Sequence, residues 1–105
     1  NVYVHMLLSE PNNSSVLLSG RPYRTLCAIR EADRARGGNN YELLYTYLST
    51  GCHAGRTAEK MFMSRNNAAY RIERLEESYG LHLDDYLSRL GFAVTYEMLN
   101  MNPAL

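Results

Sequence analysis

"MFMSRNNAAYRIERLEESYG", residues 61–80, joins a short apolar run, a polar segment and an arginine-bearing stretch. Apolar residues recur there at steps of four, three and four, at Ala68, Ile72, Leu75 and Tyr79. That spacing gives a helix one buried face. Ser64 suits the start of such a helix, and Gly80 suits its end. The stretch therefore predicts an amphipathic helix over about residues 64–79.

A shorter helix is predicted directly before it, beginning near His53 or Ala54. It has room for about two turns and carries Ala58, Met61 and Phe62 as apolar residues. Two helices joined by a few residues, the second longer and richer in arginine, are typical of a helix-turn-helix. Ala58 falls where the helices would cross, so a small side chain is needed there. Around that crossing, the side chains expected to lock the pair are Met61, Met63, Ala68 and Ile72.

The first part of the chain has weaker signals. Residues 2–8 form an apolar run with helix or strand potential, and residues 10–15 have a loop composition. Residues 16–18 suit a helical turn that ends at Gly20. Pro22 suits the first turn of a helix that runs to about Ala35, where "GGNN" ends it.

Two further helices follow from spacing and end signals. Asn40 is predicted to cap one that ends at Gly51, and Asp84 or Asp85 is predicted to start the last one, before Pro103. The last helix has apolar residues in register at Leu87, Leu90, Val94, Met98 and Met101. They either close the bundle or form a dimer seam.

Composition is consistent with one all-α domain. The chain has 105 residues, of which 46% are hydrophobic and 21% charged, and no segment alternates like a strand. We expect a compact bundle of five to seven helices, with an N-terminal helical segment over residues 1–38 packed on a helix-turn-helix unit over residues 39–105. No apolar run is long enough to span a membrane, and no signal peptide is evident. Cys27 and Cys52 lack a CxxC spacing, which favours free thiols and a cytoplasmic location.

Charge is balanced overall but divided along the chain. The formal net charge is zero, which taken alone argues against a nucleic-acid partner. Residues 53–74, however, carry five Lys or Arg residues against two glutamates, and residues 75–85 carry four carboxylates with no Lys or Arg. Local fields steer association, so the positive segment is a candidate DNA-binding region.

The start of the longer helix has the chemistry for reading bases. On the helix-turn-helix frame, the outward positions there are Ser64, Arg65, Asn66, Asn67, Ala69 and Tyr70. Arginine can bind guanine, and asparagine adenine, through paired hydrogen bonds in the major groove. Phosphate contacts are expected from Tyr70, Arg71, Arg74, Arg56 and the helix start at His53. The alternative is a solvated surface helix whose Arg71 and Arg74 pair with neighbouring glutamates.

The region from residue 21 to residue 85 resembles the C-terminal helix-turn-helix domain of PucR-type (CdaR-like) bacterial transcriptional regulators. The resemblance is carried by "LLYTYL" at 43–48, "TAEKMFM" at 57–63, "SRNNAAYRIERLEESYG" at 64–80 and "LHLDD" at 81–85. In the family's His-Arg-Asn-Thr motif, Arg65 and Asn66 are kept, whereas Ser64 and Asn67 differ. Ala68 replaces a larger aliphatic residue.

The resemblance implies a Fis-like helix-turn-helix that binds double-stranded DNA as the output domain of a longer regulator. The chain would then be a C-terminal fragment, with the effector sensed by a domain outside it. A homodimer is expected, because one short helix reads too few base pairs, and its half-sites would lie roughly 34 Å apart.

Other function classes lack support in the sequence. His53 beside Cys52, and His82 near Asp84 and Asp85, match no zinc spacing, so neither a metal nor a cofactor is expected. The sequence contains neither a nucleophile motif nor a phosphate-binding glycine loop, so we do not expect this chain to be an enzyme. Several tyrosines are expected to pack at the core with hydroxyls at the surface: Tyr23, Tyr41, Tyr45, Tyr47 and Tyr96. The main rival function is a helical protein-interaction domain that lacks DNA affinity; a small-molecule sensor would need an apolar cavity.

Overall fold

A computed structural model describes residues 20–102, and this part of the chain consists of five α-helices without a strand. The helices are α1 (Arg21–Arg36), α2 (Asn40–Ser49), α3 (Ala54–Met61), α4 (Arg65–Tyr79) and α5 (Tyr86–Met101). The all-α prediction is confirmed. The expectations for residues 2–8, 10–15 and 16–18, and for Pro103, lie outside the described residues.

Several helix ends are those that the sequence predicts. The Ser64 hydroxyl accepts the Asn67 backbone N–H at 3.1 Å and caps α4. The Asp85 carboxylate caps α5 in the same way, at 3.0 Å from the Ser88 nitrogen. Gly80 ends α4 in the left-handed conformation at φ 64°, which glycine adopts without steric penalty. These ends fix the length of α4 and the direction in which it leaves the turn.

The start of α2 differs from the prediction that Asn40 caps it. Asn40 is the first residue of the helix, and the preceding Asn39 makes no side-chain capping bond. Instead, the Asp33 carboxylate accepts the backbone N–H groups of Asn40 at 3.0 Å and Tyr41 at 2.8 Å. A carboxylate is favoured at a helix N-terminus because it meets free N–H groups and the positive end of the helix dipole. The last turn of α1 therefore caps α2.

One hydrophobic core joins α1, α2, α4 and α5. Its buried members are Leu26, Ile29, Leu43, Leu44, Ile72, Leu75, Leu81, Leu83, Phe92, Tyr96 and Leu99. Within the predicted N-terminal segment, α1 thus shares a core with the rest of the bundle. The predicted boundary between residues 38 and 39 stays a prediction.

Tyr96 lies at the centre of this core, with only 1% of its surface exposed. Its ring contacts the rings of Tyr41 and Tyr45, at centroid distances of 4.9 and 5.1 Å. Its hydroxyl donates to the Tyr41 carbonyl oxygen at 2.7 Å, so the expectation that this hydroxyl reaches the surface is wrong. Burial raises the pKa of the Tyr96 phenol, because the charged form would lose its hydration.

The buried face of α5 is only partly the predicted one. Val94 and Met98 are buried, but Leu87 is 72% exposed, and Leu90 and Met101 are also exposed. Phe92, Tyr96 and Leu99 close the core cluster instead. Leu87 and Leu90 therefore lie on the surface, and their expected role in a dimer seam stays a prediction.

Candidate nucleic-acid interface

A tight corner at Phe62 separates α3 from α4. Phe62 has φ 57° and ψ 48°, a left-handed conformation, and the Met63 N–H donates to the Ala58 carbonyl oxygen at 3.0 Å. This hydrogen bond turns the chain back after α3, so that α4 leaves at an angle to it. The Phe62 side chain is 96% exposed, so its expected place on the apolar face of α3 is wrong.

Small residues lie between the two helices, as predicted. Ala58 is 4% exposed and Ala68 is completely buried. Met61 and Met63 are half-buried and pack against the core cluster. Ile72, one turn after Ala68, belongs to that cluster and holds α4 on the bundle. The first turns of α4 are therefore supported from beneath by packed side chains.

The side chains predicted for the start of α4 are all exposed: Ser64, Arg65, Asn66, Asn67, Ala69 and Tyr70. Asn66, Tyr70, Glu73 and Glu77 recur at helical spacing on the face opposite the buried residues, and all four are exposed. The outer face of α4 is thus polar and uncharged or basic at its start, and acidic further along. Glu76 is half-buried beside this face, and loss of hydration raises the pKa of its carboxyl group.

The starts of α3 and α4 lie side by side at Gly55. A Cβ atom on Gly55 would meet the His53 Cε1 atom at 3.1 Å and the Arg65 Cδ atom at 4.0 Å. The His53 Nδ1 atom accepts the Arg56 backbone N–H at 3.1 Å and caps α3. A ring that accepts at Nδ1 carries its proton on Nε2, which remains a donor. His53, Arg56 and Arg65 therefore belong to one surface.

Arg71 does not lie free on the helix surface. Its Nη2 atom donates to the Asn39 Oδ1 atom at 2.6 Å and to the Asn40 Oδ1 atom at 2.8 Å. Both bonds use one terminal nitrogen, so Nη1 and Nε keep their donors. Arg71 thus ties α4 to the start of α2 and still has N–H groups for another acceptor.

Arg74 and Arg56 are exposed, as their predicted role at phosphates requires. Within residues 20–102 the structure contains one ion pair, between Arg34 and Glu31 at 3.5 Å. Neither Arg71 nor Arg74 pairs with a glutamate there. The alternative interpretation, a solvated surface helix, predicted that Arg71 and Arg74 pair with neighbouring glutamates. No such ion pair is made within the described residues.

Comparison with known protein families identifies this arrangement. A sequence model of the PucR C-terminal helix-turn-helix domain matches residues 41–98, more than half of the chain. The chain belongs to the PucR C-terminal helix-turn-helix family. Comparison with curated proteins and with solved structures found no significant match.

The PucR match spans both helices of the motif and most of α2 and α5. The family is described as the C-terminal helix-turn-helix domain of PucR. Within the described residues no His, Cys, Asp and Glu side chains cluster as a metal site would require. None of the described helices has the length and apolar character needed to cross a membrane.

Some residues at the edge of the PucR match were missed from the sequence. Asn39 and Asn40 precede residue 41; the sequence placed Asn39 only at a helix end, and it predicted Asn40 only as a helix cap. Their amide oxygens hold Arg71, which lies more than thirty positions later. Paired asparagines after two glycines are a loop signal, and nothing in that signal indicates a distant arginine.

Proposed function

We propose that this domain binds double-stranded DNA in a sequence-specific manner, as the output domain of a bacterial transcriptional regulator. The supporting observation is the start of α4, where a row of exposed polar side chains stands on a packed corner. In a helix-turn-helix, the start of the second helix enters the major groove. Family membership supports the same conclusion.

Base reading falls to Arg65, Asn66 and Asn67. Their side chains are exposed in the first turn of α4, where backbone bonding and the Ser64 cap fix the direction of the helix. Arginine binds guanine O6 and N7 together, and asparagine binds adenine N6 and N7. Ser64 and Ala69 lie alongside, and Ala69 suits apolar contact with a thymine methyl group.

The acidic residues on α4 set how deeply it enters. Glu73 and Glu77 are exposed on the same face as Asn66 and Tyr70. Carboxylates repel phosphates, so the part of this face that carries Glu73 and Glu77 stays away from the duplex, whereas Arg74 lies on the flank of the helix. The helix therefore binds by its leading end.

The backbone contacts lie beside the base-reading residues. His53 and Arg56, at the start of α3, bind phosphates of one strand through imidazole, guanidinium and free backbone N–H groups. Tyr70, Arg71 and Arg74 bind phosphates from α4 itself. These contacts fix the register on the duplex without reading its sequence.

The functional unit is a homodimer, since one short helix contacts too few base pairs for useful specificity. Two copies would bind half-sites roughly 34 Å apart. The protein acts in the cytoplasm, and the effector binds to a part of the regulator outside this chain.

Salt dependence separates DNA binding from the rival function, protein interaction without DNA affinity. Selection from a random duplex library gives the preferred site, and fluorescence anisotropy then gives the affinity at several salt concentrations. Phosphate-driven binding weakens linearly on a log–log plot, with a slope of about −0.9 for each phosphate contact. Binding of the duplex with no salt dependence, or no enrichment of any duplex, refutes the proposal.

Arg65→Ala tests the role of the leading end. It should cost about 1–3 kcal/mol of binding free energy and relax specificity at one base position. Arg24→Ala is the matched control, because Arg24 is exposed on α1 and its replacement removes the same charge. Circular dichroism should show unchanged helicity for both variants. Equal affinity of parent and Arg65→Ala for the selected site contradicts the assignment.

A further inference from the structure

A polar cleft of about 290 Å³ lies between the end of α1 and the flank of α4. Arg36 from α1 and Arg74 from α4 both line it, together with Asp33, Asn40 and Ser78. Arg36 was not singled out from the sequence, and α1 lies outside the matched family region. The two arginines are far apart along the chain, and only the fold brings them to one cleft.

The charges in this cleft are not balanced by ion pairs. Arg36 and Arg74 are exposed, and within residues 20–102 neither lies within ion-pair distance of a carboxylate. Asp33 lines the same cleft, but its carboxylate accepts the backbone N–H groups of Asn40 and Tyr41. Two guanidinium groups that face one cleft repel each other, and a bound anion would relieve that repulsion.

The cleft lies on the opposite side of α4 from α3. The Arg65 side chain extends from α4 towards Gly55 at the start of α3. The Arg71 side chain leaves towards Asn39 and Asn40 at the start of α2. Arg65 and Arg71 are six residues apart, so their side chains leave the helix in directions that differ by about 120°. The two side chains therefore lie on opposite flanks of α4.

A helix in the major groove has a phosphate backbone on each side. His53 and Arg56 lie on the α3 side of α4. Arg36, Arg71 and Arg74 lie on the other side, where they can meet the second strand. A guanidinium binds phosphate oxygens through paired N–H donors, and it keeps its charge at every physiological pH.

We propose that Arg36 and Arg74 form a phosphate-binding cleft for the second DNA strand, so that the end of α1 is part of the DNA-binding surface. This inference rests on the proposed function, since it needs α4 in the major groove. Asn39 and Asn40 act as positioning residues there, because they hold Arg71 beside the cleft. Arg36 adds affinity for any duplex and carries no sequence information.

Arg36→Ala, made in the full 105-residue chain, tests the cleft by anisotropy titration with the selected duplex and a scrambled duplex. Loss of one phosphate contact should make the salt slope less steep by about 0.9. Extrapolated from 1 M salt, that change weakens binding about eightfold at 0.1 M. The loss should be the same for both duplexes, whereas Arg65→Ala weakens mainly the selected one. Arg36→Lys should keep the slope, because it keeps the charge.

Arg24→Ala is the matched control, about 18 Å from Arg36 along the same helix. It removes the same charge but should leave the slope unchanged. Because Arg36 also favours the end of α1 through the helix dipole, thermal unfolding of each variant must be measured beside binding. If Arg36→Ala and Arg24→Ala have equal slopes while Arg65→Ala weakens binding, the cleft is refuted and the proposed function stands. If the parent chain binds no duplex, both are refuted.

Discussion

Phe62 occupies a backbone conformation that disfavours every residue except glycine and, to a lesser extent, asparagine. Its φ of 57° and ψ of 48° place it in the left-handed region, where a Cβ atom crowds the following carbonyl oxygen. That crowding costs about 1–2 kcal/mol. Because the ring is 96% exposed, its removal loses almost no buried surface.

Phe62→Gly should therefore stabilise the domain. Glycine removes the strain but loses more backbone entropy on folding, which offsets about 0.5–1 kcal/mol. The net gain expected is about 0.5–1 kcal/mol. For a domain of this size, it corresponds to a rise of about 2–8 °C in the melting temperature.

The assay is thermal unfolding followed by far-ultraviolet circular dichroism, with urea titration as a check on the free energy. Phe62→Ala is the control, since alanine also lacks the exposed ring but keeps the Cβ atom. It should leave stability within about 0.5 kcal/mol of the parent. A gain from alanine as large as that from glycine, or a loss of stability with glycine, would refute the reasoning from backbone strain.

Two other perturbations test contacts around α4. Arg71→Ala should lower the free energy of unfolding by about 1–3 kcal/mol, because it removes two charge-assisted hydrogen bonds to Asn39 and Asn40. The control is Arg74→Ala, and equal urea midpoints for the two variants would contradict the prediction. Glu76→Gln should raise stability at neutral pH, since burial raises the folded-state pKa of Glu76 and so disfavours its ionised form. The penalty is absent below the ordinary glutamate pKa and grows as the pH rises through the folded-state value, so the melting temperatures of parent and variant should converge on acidification. A difference that is independent of pH would contradict this.

The helix-turn-helix itself was predictable because its signals are local. The buried spacing of Ala68, Ile72 and Leu75, the Ser64 cap and the Gly80 end all lie within α4, and all were confirmed. The exposed start of α4 followed from the same spacing. A single helix with one apolar face leaves little choice about which side is buried.

The buried side of α5 was less predictable, because that helix has apolar residues on more than one face. Leu87 and Leu90 fit a helical stripe as well as Phe92, Tyr96 and Leu99 do. Only the position of α2 and α4 decides which stripe meets the core. Local periodicity cannot supply that information.

Contacts between distant segments were also beyond the sequence. Asn40 has the right residue type for a cap, yet Asp33 caps α2 because the last turn of α1 lies against it. Arg71 was expected at phosphates, and its bonds to Asn39 and Asn40 depend on the packing of α2 beside α4. The cleft at Arg36 has the same origin.

The placement of Tyr96 limits how far this domain can be shortened. A synthetic peptide cut to residues 53–80 would keep the whole start of α4 but lose Tyr96, and with it the ring contacts to Tyr41 and Tyr45 and the hydrogen bond to the Tyr41 carbonyl oxygen. Ile72 and Leu75 would then face water, and so short a pair of helices is marginal without tertiary support. Transfer of the proposed DNA-contact residues to another scaffold would therefore require the core residues beneath α4 as well.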